Sequence, residues 1–528
     1  MTGPTIVISP APTANGDLHL GHIAGPFLAA DVYSRYLRAT GRTVLFGTGI
    51  QDTSTFVVTT ARRLGTTPEA LVRRSAAEVE ATLGALGIAA DGFTGWEDRF
   101  TAFVTKVVAD LRARGRLRLR HMRFPYAPRT GEYLVDGHIT GTCPVCLATS
   151  CGGLCESCGH PVAAAELLDP RPARDPREPL EFREAEVLVL PAEQYRGQLR
   201  AHFDRIAAAL RPHAAQVIGE ILAKPLADFP VTYPLAWGIP APDLPGQVVN
   251  PNAEPVAWTM YCSMLAAESA GLSPSSEDEL WRREAGSEIV YFLGVDNIHP
   301  FAISGLAMLL AYGEHYPLPA RFLTNEFYEL DREKFSTSRG HLVWGRELAA
   351  AVPRDLIRFH LACDSPETQR TSFSRRELDR LTRIRLVQPW NRIAARTAEW
   401  VGRGPLPISG RSRTDAVRMV ERFRTAYELP RFSLNRAAAT LTQQLARLDR
   451  STLSAGDLCH EAEVLLRCAA PILIDLATAL PDTAIDGVGA RATVEPIALP
   501  RLSAELDAAP PTSDEGVRWS RSSLPVPE

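Results

Sequence analysis

The sequence predicts an α/β protein: a parallel sheet in two halves, split by a metal-bearing insertion and followed by an all-α helical bundle. Three observations carry that expectation. Thr5-Ile6-Val7-Ile8-Ser9 is a β-branched run of the kind that makes a buried strand, and beyond it apolar residues recur at helical spacing from Ile23 to Thr40. Between about 116 and 230 the strand–helix alternation breaks and the cysteines gather. From about 345 onward the pattern is helical and rich in arginine.

The first half of the sheet spans residues 1–115. Its opening strand leads through the breaker-rich residues 10–17 into His19-Leu20-Gly21-His22, placed where the strand turns into a helix. Open α/β sheets bind ligands at that carboxyl end, and a helix N-terminus favours phosphate there. Gly21 lets backbone come close to a ligand, and two imidazoles three residues apart share a helical face. As a pair of cationic donors, His19 and His22 would stabilise the charge of a pentavalent phosphorus transition state. Val44-Leu45-Phe46-Gly47 is the next strand, and an amphipathic helix pattern runs from Pro68 to Leu86. Gly49-Ile50-Gln51-Asp52 ends the second strand, so its side chains should face the same crevice as His19.

The insertion, residues 116–230, holds Cys143-x-x-Cys146 and Cys155-x-x-Cys158, two knuckles eight residues apart. Four thiolates at that spacing close a tetrahedron around Zn²⁺ and leave no open coordination position, so the zinc is read as structural. Cys151 and His160 are spare candidates. The second half of the sheet, residues 231–345, contains the buried strand Ile289-Val290-Tyr291-Phe292-Leu293, ending at Gly294-Val295-Asp296-Asn297. Residues 333–344 follow as a loop with Lys334, Ser336 and Ser338, able to close over a triphosphate and neutralise developing charge. The bundle occupies 346–485, and a tail rich in Pro, Ser, Ala and acid fills 486–528.

Length and composition fit this division. The 528 residues leave room for three or four domains, and 45% hydrophobic with 22% charged residues is ordinary for a soluble globular protein. No run is long enough to span a bilayer, and no basic leader precedes the first strand. Five of the nine cysteines lie outside the metal pattern and are scattered, which suits a reducing cytoplasm. The net charge of −4 gives no global basic field, and lysine occurs only at 106, 224 and 334. Residues 371–480 are nevertheless net basic, as a nucleic-acid-binding bundle on an acidic body would be.

Pro12-x-Ala14-Asn15-Gly16-x-x-His19-Leu20-Gly21-His22 resembles the first signature of class I aminoacyl-tRNA synthetases, in the form used by methionyl-tRNA synthetases. Lys334-Phe335-Ser336-Thr337-Ser338-Arg339-Gly340 is similar to the second. Trp237-Gly238-Ile239-Pro240-Ala241-Pro242, Gly294-x-Asp296-Asn297-Ile298 and the Cys143 to Cys158 segment extend the likeness over roughly residues 3–480. The resemblance implies a sheet of the Rossmann type and a reaction in which ATP, with Mg²⁺, and an amino acid give aminoacyl-adenylate and pyrophosphate. It implies His19, His22 and Lys334 as catalytic, with Asn15, Gly21, Gly294, Asp296, Ser336 and Ser338 on the ATP. For the amino acid it points to Ala11, Thr13, Gln51, Asp52, Trp258 and His299.

Several positions depart from the family. The acid that holds the substrate amine aligns with Gln51, and Asp52 lies one place on. Ala11 and Thr13 replace a larger aliphatic residue and a tyrosine, Gly305 replaces a pocket tryptophan, and the second lysine of the second signature is Thr337. Phe124-Pro125-Tyr126-Ala127-Pro128 occupies the place of an earlier knuckle without its cysteines. The anticodon-reading asparagine aligns with Gln388, beside Pro389. These changes lead to the expectation of a monomeric ligase that hands its adenylate to a non-tRNA acceptor, a small molecule such as a hydroxylamine in natural-product nitrogen–nitrogen bond formation. The alternatives are a working methionine–tRNA ligase and a non-catalytic protein that binds tRNA or a partner.

Overall fold

The computed structural model describes residues 3–95, 97–335 and 341–503, and of Lys334 the backbone. The chain opens with β1 (Thr5–Ile8), continues through α1 (Leu28–Ala39) to β2 (Val44–Gly49), and reaches β3 (Gly92–Thr94) by way of α2 (Thr55–Leu64) and α3 (Pro68–Ala85). Local chemistry fixes these helices. Ser54 accepts from the Phe56 amide at the start of α2, and Gly65 ends it at φ +65°, a left-handed position that favours glycine. Thr67 caps α3, and Pro68 fills its first turn.

After α4 (Asp98–Ala113) the insertion begins as a long antiparallel ribbon, β4 (Arg118–Ala127) against β5 (Glu181–Leu190), paired from Arg118 with Val189 to Tyr126 with Glu181. Phe124–Ala127, the degenerate knuckle of the sequence comparison, is the far end of β4. The cysteine loops lie between the ribbon strands around their own small core of Phe124, Leu134, Val135, Ile139, Cys143, Cys155 and Val162. The chain then returns through α5 (Pro255–Ser269) to β6 (Glu288–Gly294), α6 (Gly305–Tyr312) and β7 (Arg321–Asn325).

Five strands from both halves form one parallel sheet in the order β7-β6-β1-β2-β3. Side chains alternate between its faces, as period-two geometry requires. Val7, Phe46, Val290 and Phe292 join the core under α1, while Ile6, Ile8, Leu45, Ile289 and Tyr291 join the core under α5 and α6. The order puts β1 in the centre, with β6 on one side and β2 on the other, so loops from both halves meet at its carboxyl end.

The bundle consists of α7 (Arg354–Cys363), α8 (Gln388–Ala398), α9 (Gly410–Tyr427), α10 (Leu434–Asp449) and α11 (Ala455–Ala469). Its core is continuous with that under α1, where Phe432 packs edge-on to both Tyr33 and Phe292. No helix among the described residues is long and apolar enough to cross a membrane.

Candidate active site

Residues 10–15 leave β1 and run alongside the end of β2: the Gln51 amide donates to the Pro12 carbonyl at 2.8 Å, and the Ala14 amide to the Gln51 carbonyl at 2.9 Å. His19 then caps a single helical turn, Leu20–His22. Its Nδ1 accepts from the Gly21 amide at 3.1 Å, while His22 Nδ1 accepts from the His19 amide at 3.3 Å. A nitrogen that accepts carries no proton, so each ring keeps its proton on Nε2. This capping box uses both Nδ1 atoms and leaves Nε2 of each ring as the nitrogen free to donate.

The first motif is clasped to the second. His19 stacks between His22 (centroids 3.9 Å apart) and Phe335 (4.8 Å). The Leu20 amide donates to the Val343 carbonyl at 3.0 Å, and the Gly345 amide to the Leu18 carbonyl at 2.9 Å. Phe335 on one side, and Val343 and Gly345 on the other side of the second signature, are thus tied to the histidine turn. Gly21 is required by this stacking, because a Cβ there would stand 2.9 Å from His19 Cε1 and 3.2 Å from Phe335 Cδ2. Lys334 lies on a two-residue strand paired with Tyr328–Leu330. Ser336 and Ser338, with Thr337 and Arg339, fall outside the described residues.

A cleft of ≈ 430 Å³ opens over the sheet at this point. Of the residues singled out from sequence it brings together Ala11, Thr13, Asn15, His19, Gly21, His22, Gln51, Asp52, Trp258, Gly294 and Asp296. Asp296 accepts from the Asn297 amide side chain at 3.1 Å, and a Cβ on Gly294 would stand 2.4 Å from its Oδ1. Trp258 is both wall and core: 6% exposed, it donates from Nε1 to Thr94 Oγ1 at 2.6 Å.

Two expected positions stand elsewhere. His299 does not line the cleft; its ring lies against Phe229, and burial with the nearby His160 lowers its pKa to about 4. Gly305 is also outside, in α6, where a Cβ would stand 2.5 Å from the Pro300 carbonyl oxygen. Pro300 and Phe301 occupy the wall instead.

Sequence reasoning missed Glu254. It is 5% exposed, lines the cleft, and accepts from the Thr53 hydroxyl at 2.9 Å through Oε2, while its Oε1 has no hydrogen-bond partner among the described residues. Asp52 is 3% exposed and its Oδ2 is likewise unpartnered. Burial pushes the Asp52 carboxyl up to about 7 and raises that of Glu254 well above the usual range, with each acid's neighbour adding to the effect. The available signal was an acid, Glu254, directly before the largely apolar run 255–267.

The four cysteines converge as the spacing predicts, with all Sγ atoms within 4.8 Å of one another. Cys143 and Cys158 are 4.0 Å apart and Cys146 and Cys155 3.6 Å. A zinc tetrahedron with bonds of about 2.3 Å has sulfur–sulfur edges near 3.8 Å, so the quartet fits the ion. The knuckle also contributes Cys151, Gly152, Leu154 and Glu156 to the cleft wall.

A parallel sheet split by a cysteine knuckle, with a histidine turn clasped to a second loop at its carboxyl edge, defines a class I synthetase. A family model described as tRNA synthetases class I (M) matches residues 5–398. A methionine–tRNA ligase of Roseiflexus sp. (strain RS-1) is 32% identical over 416 residues, covering 76% of this chain and 69% of that protein. One from Thermomicrobium roseum is 31% identical, over 75% and 69%. A Mycobacterium tuberculosis methionyl-tRNA synthetase, solved with methionyl-adenylate, superposes with a TM-score of 0.73 at 18% identity over 95% of this chain and 99% of that one. The chain belongs to the methionine branch of the class I tRNA synthetases, and with it to the ATP-dependent ligases.

Proposed function

We propose that the chain activates an amino acid as its adenylate in this cleft and transfers the acyl group to tRNA, methionine and its tRNA being the pair for which its relatives are named. The single observation that carries the first step is the clasp of residues 18–20 to Phe335, Val343 and Gly345, which brings the two signature stretches together beside the cleft. The amino-acid carboxylate attacks the α-phosphate, and pyrophosphate leaves. His19 and His22 offer Nε2–H donors to the charge developing on phosphorus oxygens, and positioning supplies much of the remainder. Asn15, Gly21, Gly294 and Asp296 hold the nucleotide, with Lys334, Ser336 and Ser338 closing over the leaving pyrophosphate. Cys143, Cys146, Cys155 and Cys158 would hold zinc, which braces the cleft wall.

A second reading, transfer to a non-tRNA acceptor, has one observation in its favour. On α8, Gln388 is exposed but its neighbours are occupied by residues 500–502. Asn391 exchanges hydrogen bonds with the Leu502 backbone at 2.9 Å in each direction, and Trp390 donates to the Pro500 carbonyl at 2.8 Å. Nearby arginines are also engaged, Arg392 with Asp449 and Arg380 with Glu377. The relatives give a hydroxylamine acceptor no support. Labelled methionine, ATP and initiator and elongator methionine tRNAs decide between the two. Charging that disappears when the CAU anticodon is altered supports the first; amino-acid-dependent pyrophosphate exchange without any charging supports the second.

A further inference from the structure

Asp52 and Glu254 stand out because buried carboxyls normally have all their oxygens satisfied, and each of these cleft-lining acids keeps one buried oxygen without a partner. They come from different halves of the sheet, Asp52 from the end of β2 and Glu254 from the turn before α5, and Thr53 bonds the two segments together. The Asp52 backbone carbonyl is further held by Trp237 Nε1–H at 3.0 Å, which fixes the main chain at this position. Among the described residues no arginine lines the cleft to neutralise them. Glu97 beside Asp52 is also an acid, as are Asp136, Glu156, Asp296 and Glu326 on the cleft wall, and the imidazoles there are those of His19 and His22. An isolated buried acid pair needs a cation or a proton, and a primary ammonium group has enough N–H donors to reach both open oxygens.

We propose that Asp52 and Glu254 form a two-carboxyl clamp for the primary ammonium group of the amino-acid substrate, Glu254 being its second half. This rests on the amino-acid reading of the cleft and deepens it. The ammonium donates one hydrogen bond to Asp52 Oδ2 and one to Glu254 Oε1. Asp52 ionises as the ammonium enters and releases its proton to solvent, whereas Glu254 accepts through Oε1 and keeps its own proton on Oε2, beside the Thr53 hydroxyl. Its role is therefore positional, and an uncharged acceptor can replace it.

The test has two arms. In the first, the amino acid giving the fastest ATP–pyrophosphate exchange among the twenty is followed from pH 5.5 to 8.5. Its KM is expected to fall about tenfold per pH unit below about 7 and level off above. Asp52→Asn should raise KM about 100-fold or more and abolish that dependence. Glu254→Leu should raise KM about tenfold, with Glu254→Gln restoring most of the loss. An unchanged KM in Glu254→Leu overturns the clamp. So does a preference for ornithine or lysine over every monoamine, which would make Glu254 the seat of a second ammonium. In the second arm, ethylammonium chloride is compared with sodium chloride at equal ionic strength as a thermal stabiliser at pH 8. Ethylammonium should raise the melting temperature of the wild type but not of the Asp52→Asn, Glu254→Leu double variant. Exchange absent for all twenty amino acids defeats the activation reading alone, and the second arm still decides the clamp: equal stabilisation by both salts overturns it.

Discussion

Asp52 and Glu254 burden the fold at the scale of single residues. An aspartate ordinarily titrates near 4, and burial moves Asp52 to about 7. The folded state therefore binds a proton that the unfolded chain has already lost over that interval, and stability falls as pH rises from about 4 to about 7, then stays level. Three units correspond to roughly 4 kcal/mol at neutral pH. Asp52→Asn removes the ionisable group while keeping its shape. Its melting temperature, measured by calorimetry, should exceed that of the wild type at pH 7.5 and approach it at pH 4.5. A variant that gains stability as it loses substrate binding would show that the carboxyl is kept for its ligand. The same scale explains the histidine pair, since the capping bonds to Nδ1 fix which nitrogen of each ring is presented.

The cysteine knuckle is the element on which most depends. Its loops are short, its core is small, and its strands Thr149–Ser150, Gly153–Leu154 and Pro161–Val162 are two residues each. Pieces of that length do not hold themselves together, and a zinc ion on the four thiolates would supply the closure. One zinc per chain is expected by elemental analysis, lost on Cys143→Ser. Because Gly152, Leu154 and Glu156 line the cleft, removing the metal with a chelator should raise KM for the amino acid several-fold while the main unfolding transition persists. An unchanged KM in the metal-free protein would disconnect the knuckle from the cleft.

At the scale of the whole molecule, a buried ion pair joins the bundle to α1 beside the sheet. Arg358 of α7, 1% exposed, reaches Asp31 of α1, 0% exposed, at 2.6 Å. The same guanidinium donates to the carbonyls of Leu86, Pro471 and Ile472, so its donors are spread over both parts. Asp31 keeps a second partner in Arg35 at 2.9 Å, so removing Arg358 leaves its buried carboxylate only partly compensated and costs at most about 3–5 kcal/mol, the range for a broken buried pair. Arg358→Ala should lower the melting temperature and split unfolding into two transitions, observable by calorimetry. A single transition at the wild-type temperature would mean that the shared apolar core alone unites the two parts.

The sequence by itself determined the pieces: the β-branched run of β1, the histidine turn after it, the zinc quartet and the helical bundle. Each is encoded in short-range spacing, where chain geometry alone fixes which side chains share a face or reach one ion. Alignment likewise brought Asn15, Trp258 and Asp296 to the cleft. Tertiary structure decided what lies between the pieces. The stacking of Phe335 on His19 spans more than three hundred residues, and the approach of Glu254 to Asp52 about two hundred. No local period records such distances. His299 and Gly305 left the cleft for the same reason, since a helical turn rotates each position by its own angle and only packing decides which one faces the ligand.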